Sequence, residues 1–350
     1  MTVDSLYFVY PGQLETLTGG YQYDRRLIRE LCQLGVGVET IALSAQFPFP
    51  DAHALKEAHR ALAAMPDGAV VIIDGLAFGT LDELAEAEQQ RLRLIALCHH
   101  PLALESGLDP ARQQRFQASE QRALQAARAV IVTSEFTRRI LSAQFAVPSD
   151  QVVVAPPGTD SVPFAPCEGN PLRLLTVASL TRRKAHDVLI DALAPLADLP
   201  WQARFVGGRD FDPVWSEQLQ QQVNRRQLQK RIVFAGEMKE LETEFHNADL
   251  FVLPSRFEGY GMVFAEALAA GLPIVAARAG AVPDVVPESA GLLVPPDDTE
   301  ALTAALHSLL TREDLRRQLQ AGARSAAARL PTWSDTAEHV ARLIEDVKLA

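Results

Sequence analysis

The chain has 350 residues, a length that predicts about two domains. Its composition, 48% hydrophobic and 22% charged, is that of a globular protein and excludes a chain dominated by disorder. The formal net charge of −11 argues against a nucleic-acid partner, which requires a basic surface, and leaves at most peripheral contact with an anionic membrane.

The first residues of the chain and its cysteines indicate the cellular compartment of the protein. The opening sequence, MTVDSLYFVYPG, lacks a basic region followed by a long apolar run, so it predicts a first strand. No apolar segment reaches the ~18 residues that span a bilayer. Cys32, Cys98 and Cys167 are far apart and odd in number, and fit neither a disulfide framework nor a zinc spacing. We predict a soluble, cytoplasmic protein.

Short apolar runs alternate with longer amphipathic stretches, the pattern of parallel sheets with crossover helices. A first series of runs predicts one doubly wound, Rossmann-like domain. Residues 156–171, rich in proline and glycine, interrupt the alternation and predict a linker. The predicted strands of the first series are SLYFVY (5–10), VGVETIAL (36–43), AVVIIDG (69–75), RLIALCHH (93–100), AVIVTS (129–134) and QVVVAPPG (151–158).

A second series predicts that the same α/β architecture is built twice. Two helical stretches follow it, Pro331 then breaks the pattern, and residues 333–348 predict a last helix with apolar positions at helical spacing. The predicted domains are therefore 1–165, 166–330 and a final helix at 331–350. The second series comprises LRLLTVAS (172–179), WQARFVGG (201–208), RIVFAGE (231–237), ADLFVLPS (248–255), LPIVAARAG (272–280) and AGLLVPP (290–296).

Notable residues follow the predicted strands. Ligands of open α/β sheets bind at the carboxyl ends of the strands, so two facing domains would place a site in the cleft between those edges. The residues at these positions are Gly19, Gly20, His99 and His100 in the first domain, and Lys184, Gly207 and Glu258 in the second.

Residues 254–275, PSRFEGYGMVFAEALAAGLPIV, place a glycine-rich loop before a helix. Because Gly259 and Gly261 have no side chains, a ligand can approach the main-chain N–H groups of this loop. A helix predicted to begin near Met262 would direct its N–H groups and positive dipole end at the same loop. This arrangement favours an anion.

Two glutamates accompany this loop. Glu258 lies on the loop, and Glu266 lies about one turn inside the predicted helix. They could be a helix cap and a solvated face residue. However, Glu266 lies between alanines in an apolar helix, where a carboxylate needs partners, and carboxylates accept hydrogen bonds from sugar hydroxyls. The combination indicates a phosphorylated sugar, with nucleotide diphosphate sugars as the obvious class.

Three segments together carry a family resemblance. They are the Glu258 to Glu266 pair with its seven intervening residues, VASLTRRKAHDVLIDAL at 177–193, and AGAVPDVVPESAGLLVPPDDTEALTAAL at 279–306. With these segments the chain resembles glycosyltransferase family 4, which has the GT-B fold. The resemblance covers essentially all of the second domain, and more loosely the first through TGGYQYDRRLIREL at 18–31.

The resemblance implies a retaining transfer of a sugar from a nucleotide diphosphate sugar to an acceptor hydroxyl, with no metal and no further cofactor. It implies that Lys184 contacts the diphosphate, Glu258 the donor sugar and Glu266 the ribose hydroxyls. It also implies that the last helix crosses back to the first domain. The predicted catalytic residues are His99, His100, Lys184 and Glu258, and the predicted donor-binding residues are Gly19, Gly20, Ser179, Arg183, Lys184, Gly207, Glu237, Met238, Glu258, Gly259, Tyr260, Gly261, Met262, Val263 and Glu266.

Two positions depart from the family pattern. The family often has an arginine where this chain has Ser179, and a glycine where it has Ala185. One phosphate-facing cation would then be missing, and we hypothesise that Arg182, Arg183 or Arg209 replaces it.

Several candidates also have simpler interpretations. Lys184 could be an exposed lysine, and Gly19 and Gly20 could be turn glycines, although in the family this loop closes over the diphosphate and sugar. The family commonly has a histidine that contacts the donor sugar where His99 and His100 stand. Since adjacent strand residues point to opposite faces, only one of them would face the cleft, and His99 is preferred.

Basic side chains between 112 and 128 could form a membrane or lipid-acceptor surface, but a solvated helix face is the simpler interpretation. The function predicted is glycosyl transfer to an unidentified saccharide, lipid or small molecule. A non-catalytic nucleotide-sugar-binding protein is the alternative. A nicotinamide-dependent dehydrogenase is disfavoured because the first strand does not lead into a G-x-G-x-x-G turn.

Overall fold

The structure, a computed structural model, describes residues 6–105 and 107–349. It divides into two compact units. Unit 1 comprises Met1–Gly158 and Pro331–Ala350, and unit 2 comprises Thr159–Leu330. The first change of unit therefore lies inside the proline- and glycine-rich segment 156–171, and the second lies at Pro331.

Unit 1 contains a six-stranded parallel sheet with the order β2-β1-β3-β4-β5-β6. Its strands are β1 Leu6–Pro11, β2 Val38–Leu43, β3 Val70–Asp74, β4 Arg93–Cys98, β5 Ala129–Val132 and β6 Val152–Val154. Its first helices are α1 Gly19–Gln33, α2 Ala52–Ala63, α3 Gly75–Phe78, α4 Asp82–Glu88, α5 Pro110–Ala126 and α6 Glu135–Gln144. Every residue of β3 and β5 is buried, because helices cover both faces of the sheet.

Unit 2 contains a second six-stranded parallel sheet. Its strands are β7 Leu172–Val177, β8 Trp201–Val206, β9 Ile232–Gly236, β10 Leu250–Leu253, β11 Ile274–Ala277 and β12 Gly291–Val294. The order β9-β8-β7-β10-β11-β12 is that of a dinucleotide-binding Rossmann fold. The helices are α7 His186–Leu193, α8 Pro213–Arg225, α9 Glu242–His246, α10 Met262–Ala269, α11 Val282–Val285, α12 Thr299–Thr311 and α13 Glu313–Ala327.

The strand order of each sheet reverses at one point, and this positions the candidate residues. In unit 1 the reversal lies between β1 and β3, and in unit 2 between β7 and β10. Connections that leave two neighbouring strands in opposite directions open a crevice at their carboxyl ends, where ligands of such sheets bind. The loops after β1, β3, β7 and β10 are therefore where a site is expected.

The α/β fold with two Rossmann-like sheets is confirmed, and each of the twelve predicted strands is present. The observed strands are mostly shorter than the apolar runs. The run 93–100 is an example, because β4 ends at Cys98 and leaves His99 and His100 in the following loop. The expectation that these histidines point to opposite faces of a strand was therefore wrong.

The last helix, α14 (Trp333–Leu349), packs against α1 within unit 1. Trp333 is 4% exposed, and its ring meets the edge of the Tyr23 ring with centroids 5.8 Å apart. Thr336 Oγ1 donates a hydrogen bond of 2.6 Å to the carbonyl of Pro156. Trp333 therefore anchors this helix in the core of unit 1.

The basic residues of α5 form a solvated face. Phe116 and Leu124 are buried on the opposite side of the helix, and Arg122 forms ion pairs of 2.6 Å with Asp82 and with Glu86. Such pairs occupy the arginine with protein carboxylates. Within residues 6–105 and 107–349, no helix combines the length and the apolar character needed to cross a membrane.

Candidate functional site

In unit 2, the loops that follow β7 and β10 are joined. These strands are neighbours at the reversal point, so both loops leave the sheet at the same place. The backbone N–H of Arg256 donates to the carbonyl of Arg183 with a distance of 2.8 Å. This bond holds the predicted lysine segment beside the glycine-rich loop.

The charged side chains of these loops bond to one another. Lys184 Nζ lies 2.6 Å from Glu258 Oε1, and Arg183 Nη1 lies 3.3 Å from Glu258 Oε2 and 3.0 Å from the Phe257 carbonyl. Glu258 is 4% exposed. Two cations and one carboxylate leave a net charge of +1, so the cluster as a whole favours an anion.

The charge state of Glu258 follows from its surroundings. Burial alone would raise the pKa of this carboxyl, but the charges of Lys184 and Arg183 outweigh burial and hold the pKa below its usual value. Glu258 is therefore ionised at neutral pH. Because its negative charge is shared between two cations, the Glu258 carboxylate accepts hydrogen bonds and is a poor nucleophile.

The backbone of Glu258 is fixed by the loop after β11. The N–H of Ala281 donates to the Glu258 carbonyl at 2.9 Å. Gly280 precedes it with a φ of +59°, and a Cβ at that position would overlap the backbone of Glu258. Gly280 was not singled out from the sequence, although it lies in the segment 279–306 that carries the family resemblance.

Helix α10 begins at Met262, as predicted, and no side chain of the described residues caps it. Gly261 occupies the position before the helix with a φ of +86°, and a Cβ there would meet the Phe264 ring at 2.6 Å. Glycine is therefore required for the loop to pass so close to the helix. The amino end of α10 lies directly beside the cationic cluster in sequence and offers main-chain N–H groups to an anion. Along the same loop and helix lie Gly259, Tyr260, Val263 and Glu266.

The other predicted donor contacts follow β7, β8 and β9. The Leu180 N–H, next to Ser179, donates to the Gly208 carbonyl at 2.9 Å. Gly207 lies so close to the Ala178 carbonyl that a Cβ would overlap it. Glu237 Oε1 lies beside Gly208, and Met238 packs against the core. The ends of β7, β8 and β9 therefore converge in one loop region.

The three candidate arginines have different surroundings in the structure. Arg183 lies against Glu258, whereas Arg182 stacks on Trp215 at 4.2 Å and Arg209 lies over the Phe234 ring at 5.2 Å. Of the three, Arg183 is thus the one held beside the lysine. That it replaces the missing family cation stays a prediction.

Ala185 follows the lysine with a φ of +53°, in the left-handed region where the family has glycine, and is fully buried. Left-handed geometry costs alanine about 1–2 kcal/mol. Glycine would relieve this but lose about 0.8 kcal/mol of methyl burial and about 0.5–1 kcal/mol through chain entropy. We expect Ala185→Gly to change the free energy of unfolding by less than about 1 kcal/mol.

The matched variant is Ala185→Val, which places a β-branched side chain in the same conformation. We expect it to destabilise unit 2 by about 3 kcal/mol or more, because strain and overpacking add. Urea unfolding of both variants measures the difference. Equal stability of the two variants would contradict the strained geometry.

His186 begins α7 and is fully buried against Phe205. Neither ring nitrogen has a hydrogen-bond partner among the described residues. Burial, with a smaller effect of Lys184, lowers the pKa of His186 to about 3. The folded state therefore binds this proton less readily than the unfolded chain, and stability is lost as the pH falls from 6.5 towards 3.

We expect His186→Leu to stabilise unit 2 by about 1–3 kcal/mol at pH 7, because it removes unsatisfied buried polar atoms. The gain should be about 2 kcal/mol larger at pH 5, at about 1.4 kcal/mol per pH unit below 6.5. Denaturant unfolding at both pH values measures it. His307→Leu, at an exposed histidine of α12, should stay within about 0.5 kcal/mol of the parent. A gain independent of pH would contradict the neutral buried His186.

In unit 1, His99 contacts two buried aspartates. Its Nε2 lies 3.2 Å from Asp24 Oδ1 on α1 and 3.4 Å from Asp74 Oδ2 at the end of β3. The ring also lies against Gly20, where a Cβ would meet His99 Cδ2 at 3.2 Å. His100 instead bonds Glu105, with its Nε2 3.0 Å from Oε2. The structure thus brings His99 and Gly20, at the start of α1, together and directs His100 elsewhere.

Sequence reasoning did not single out Asp24 and Asp74. Asp74 is an acidic residue at the end of an apolar run, and Asp24 lies inside TGGYQYDRRLIREL, so each carried a weak signal. The donor atoms of Asp24, Asp74 and His99 lie within 4.8 Å of one another, near enough for a metal ion. The N–O distances are those of hydrogen bonds, and the absence of a metal requirement stays a prediction.

Family comparisons match both units. A family model described as "Glycosyltransferase Family 4" matches residues 19–162, and one described as "Glycosyl transferases group 1" matches residues 171–312. The chain belongs to glycosyltransferase family 4. It is therefore a glycosyltransferase, which confirms the family resemblance and excludes the dehydrogenase hypothesis.

Two relatives illustrate the sequence similarity. The MMP α-(1→4)-mannosyltransferase of Mycolicibacterium hassiacum is 28% identical over 86% of this chain and 76% of its own. The mannosylfructose-phosphate synthase of Agrobacterium fabrum is 27% identical over 62% of this chain and 52% of its own. The chain thus spans three quarters of one relative and about half of the other.

Solved structures show the GT-B fold. Sucrose-phosphate synthase from Thermosynechococcus elongatus superposes with a TM-score of 0.81 at 21% identity, covering 98% of this chain and 99% of that one. Anabaena HepE in complex with UDP-glucose superposes with a TM-score of 0.78 at 18% identity, covering 97% and 99%.

Proposed function

We propose that this family 4 enzyme transfers a sugar from a nucleotide diphosphate sugar to an acceptor hydroxyl, with retention of anomeric configuration and without a metal ion. The observation that carries the proposal is the cluster at the reversal point of the unit 2 sheet. There Lys184 and Arg183 meet across Glu258, next to the uncapped start of α10.

The chemistry of the leaving group matches such a cluster. When the bond to the sugar breaks, negative charge develops on the β-phosphate. A fixed ammonium, a fixed guanidinium and helix N–H groups can stabilise that charge, and one preorganised donor is commonly worth ~10²–10³ in rate. Glu258 keeps both cations in place before the donor arrives, so little reorganisation is required.

The remaining donor contacts rest on the family resemblance. We propose that Glu266 accepts hydrogen bonds from the ribose, that Glu258 contacts the sugar, and that Glu237 and Met238 lie at the base. Reported ligands of structural relatives support this donor class, because HepE was solved with UDP and with UDP-glucose. His99, and Gly19 and Gly20 at the start of α1, are also proposed to contact the donor sugar.

Retention is proposed from the family resemblance, and the state of Glu258 argues against a covalent glycosyl–enzyme intermediate on that residue. Glu258 is committed to two cations at 2.6 and 3.3 Å, so it is weakly nucleophilic. We propose that the acceptor hydroxyl attacks on the face from which the diphosphate departs, and that the departing phosphate oxygen takes the hydroxyl proton. The C–O bond to phosphate breaks as the new glycosidic bond forms.

A thermal-shift screen with UDP, GDP, ADP and TDP sugars tests donor binding. A ligand at 100 times its Kd should add ~2.7 kcal/mol of stability. The preferred donor is then incubated with saccharide, lipid and small-molecule acceptors, with and without EDTA. Release of nucleoside diphosphate, and NMR of the anomeric centre, report turnover and stereochemistry.

We expect the enzyme to prefer sugars of one nucleobase and to release the nucleoside diphosphate in the presence of EDTA. The anomeric configuration of the transferred sugar should be the same in the product as in the donor. Binding without release for every acceptor would favour the non-catalytic alternative. Inversion of the anomer, or loss of turnover with EDTA, would overturn the retaining or metal-free part of the proposal.

A further inference from the structure

The His99 ring of unit 1 is fixed by a set of contacts that the donor proposal does not use. Both carboxylates approach the same ring nitrogen, Nε2, at 3.2 and 3.4 Å. The edge of the Tyr23 ring lies against the imidazole with centroids 5.2 Å apart, and the Tyr23 hydroxyl donates to the Ala155 carbonyl. These contacts hold the ring orientation from α1 and β3 at once.

The two aspartates are themselves buried. Asp24 is fully buried in α1, and Asp74 is 2% exposed. Asp74 Oδ1 accepts the Leu76 N–H at 2.9 Å and so caps α3, which leaves Oδ2 for the histidine. Two buried carboxylates against one imidazole would carry a net charge of −2 with a neutral ring and −1 with an imidazolium. The geometry therefore favours the charged ring.

The second ring nitrogen is available. No hydrogen bond joins Nδ1 of His99 to another of the described residues, and the side chain is 20% exposed. Since Nε2 is committed to the buried carboxylates, Nδ1 is the ring nitrogen left to bond a ligand.

We propose that Asp24 and Asp74 are positioning residues that keep His99 as an imidazolium, with Nε2–H given to the two carboxylates and Nδ1–H presented to the substrate. This deepens the proposed function. His99 is then a cationic hydrogen-bond donor to a substrate oxygen and cannot act as a general base, because it has no lone pair to accept a proton.

The electrostatics of the surroundings support this assignment. Burial by itself lowers the pKa of His99, but the hydrogen bonds and charges of Asp24 and Asp74 outweigh it and raise the pKa to about 10. Burial and the neighbouring Asp74 raise the pKa of Asp24 to about 6. The other titratable groups near the cluster are Tyr21, Tyr23 and Arg25 on α1, Tyr10 on β1 and Cys98 on β4.

The charge can be measured without any assay of transfer. The full chain is labelled with ¹⁵N-histidine, and the His99 signals are assigned by their loss in His99→Gln. We expect both ring nitrogens of His99 to keep the shifts of a protonated imidazole up to about pH 9. His186 is the internal control, since its buried ring should stay neutral over the same range.

Variants then test the role of the carboxylates. Asp24→Asn, and separately Asp74→Asn, which keeps an oxygen to cap α3, should each lower the titration midpoint of His99 by more than about one pH unit. Glu120→Gln changes another buried carboxyl of unit 1, which accepts the Leu102 N–H, and should leave the His99 midpoint in place. Thermal unfolding confirms that each variant is folded.

The kinetic counterpart is a pH profile of kcat and KM. The loss of activity in Asp24→Asn should grow from a small factor at pH 6 to more than about tenfold at pH 8.5, as His99 loses its proton. A loss of equal size at every pH would indicate a merely structural role and overturn the proposal. So would a His99 that titrates below pH 7 in the parent protein. If no transfer is found with any substrate, the proposed function fails, and the ¹⁵N titration still decides the charge of His99.

Discussion

Replacement of Lys184 with glutamine should lower kcat about 10²–10³-fold, the usual effect of removing one preorganised donor to a developing charge. Lys184 is the closest cation to Glu258, at 2.6 Å, and no second lysine lies in the turn that joins β7 to α7. Glutamine keeps a hydrogen-bond donor but removes the charge. Initial rates with saturating donor and acceptor measure the effect, and donor KM should rise less than kcat falls.

Arg182→Gln is the matched control for this experiment. It removes a cation from the same turn, but the Arg182 guanidinium stacks on Trp215 and its side chain is half exposed. We expect a change in kcat of less than about threefold, as for a screened surface charge. If Lys184→Gln is as active as Arg182→Gln, Lys184 does not stabilise the leaving group.

Replacement of Gly280 with alanine should displace Glu258 and so impair the same cluster, although Gly280 lies in a different loop. The added Cβ would overlap the Glu258 backbone, and a φ of +59° is unfavourable for alanine by about 1–2 kcal/mol. The Glu258 loop must then shift. Since a displacement of about 1 Å at a reacting group can cost about 10²-fold, we expect kcat/KM to fall by at least that factor. The free energy of unfolding should fall by about 3 kcal/mol.

Gly322→Ala separates loss of stability from loss of geometry. Its Cβ would overlap the Ser289 carbonyl, so it should destabilise unit 2 to a similar extent without touching Glu258. Rates at 25 °C, corrected for the folded fraction from urea unfolding, compare the two variants. Equal specific activity of the folded fractions would show that Gly280 serves packing alone.

The cationic cluster of Lys184, Arg183 and Glu258 shows how much of the site the sequence predicted. Glu258 and the helix start at Met262 were identified from a glycine-rich loop that precedes a helix. Lys184 and Arg183 were identified through the family resemblance, with Arg182 and Arg209 as alternatives to Arg183. The contacts between these residues could not be predicted from the sequence. Lys184 and Glu258 are 74 residues apart, and only the adjacency of β7 and β10 brings them within 2.6 Å.

The cluster of His99, Asp24 and Asp74 shows what could not be predicted from the sequence. The sequence predicted His99 and His100 at the end of a strand and distinguished them by strand alternation, which does not apply because β4 ends at Cys98. The structure separates them through their partners, since His99 meets Asp24 and Asp74 whereas His100 meets Glu105. Asp24 lies 75 residues before His99, so no local pattern could reveal the pair.

The sequence by itself determined the alternation of twelve strands with helices, the repeated Rossmann-like architecture and the family. The strands, helices and repeated architecture depend on periodicity and on turn chemistry, which act between residues close together in the chain. The family was identified from the resemblance of three motif segments. Only the tertiary structure decided which cation lies beside Glu258, why Gly280 must be glycine and which histidine two buried carboxylates hold. Those outcomes depend on the order of strands in each sheet, because that order determines which distant loops leave the sheet side by side.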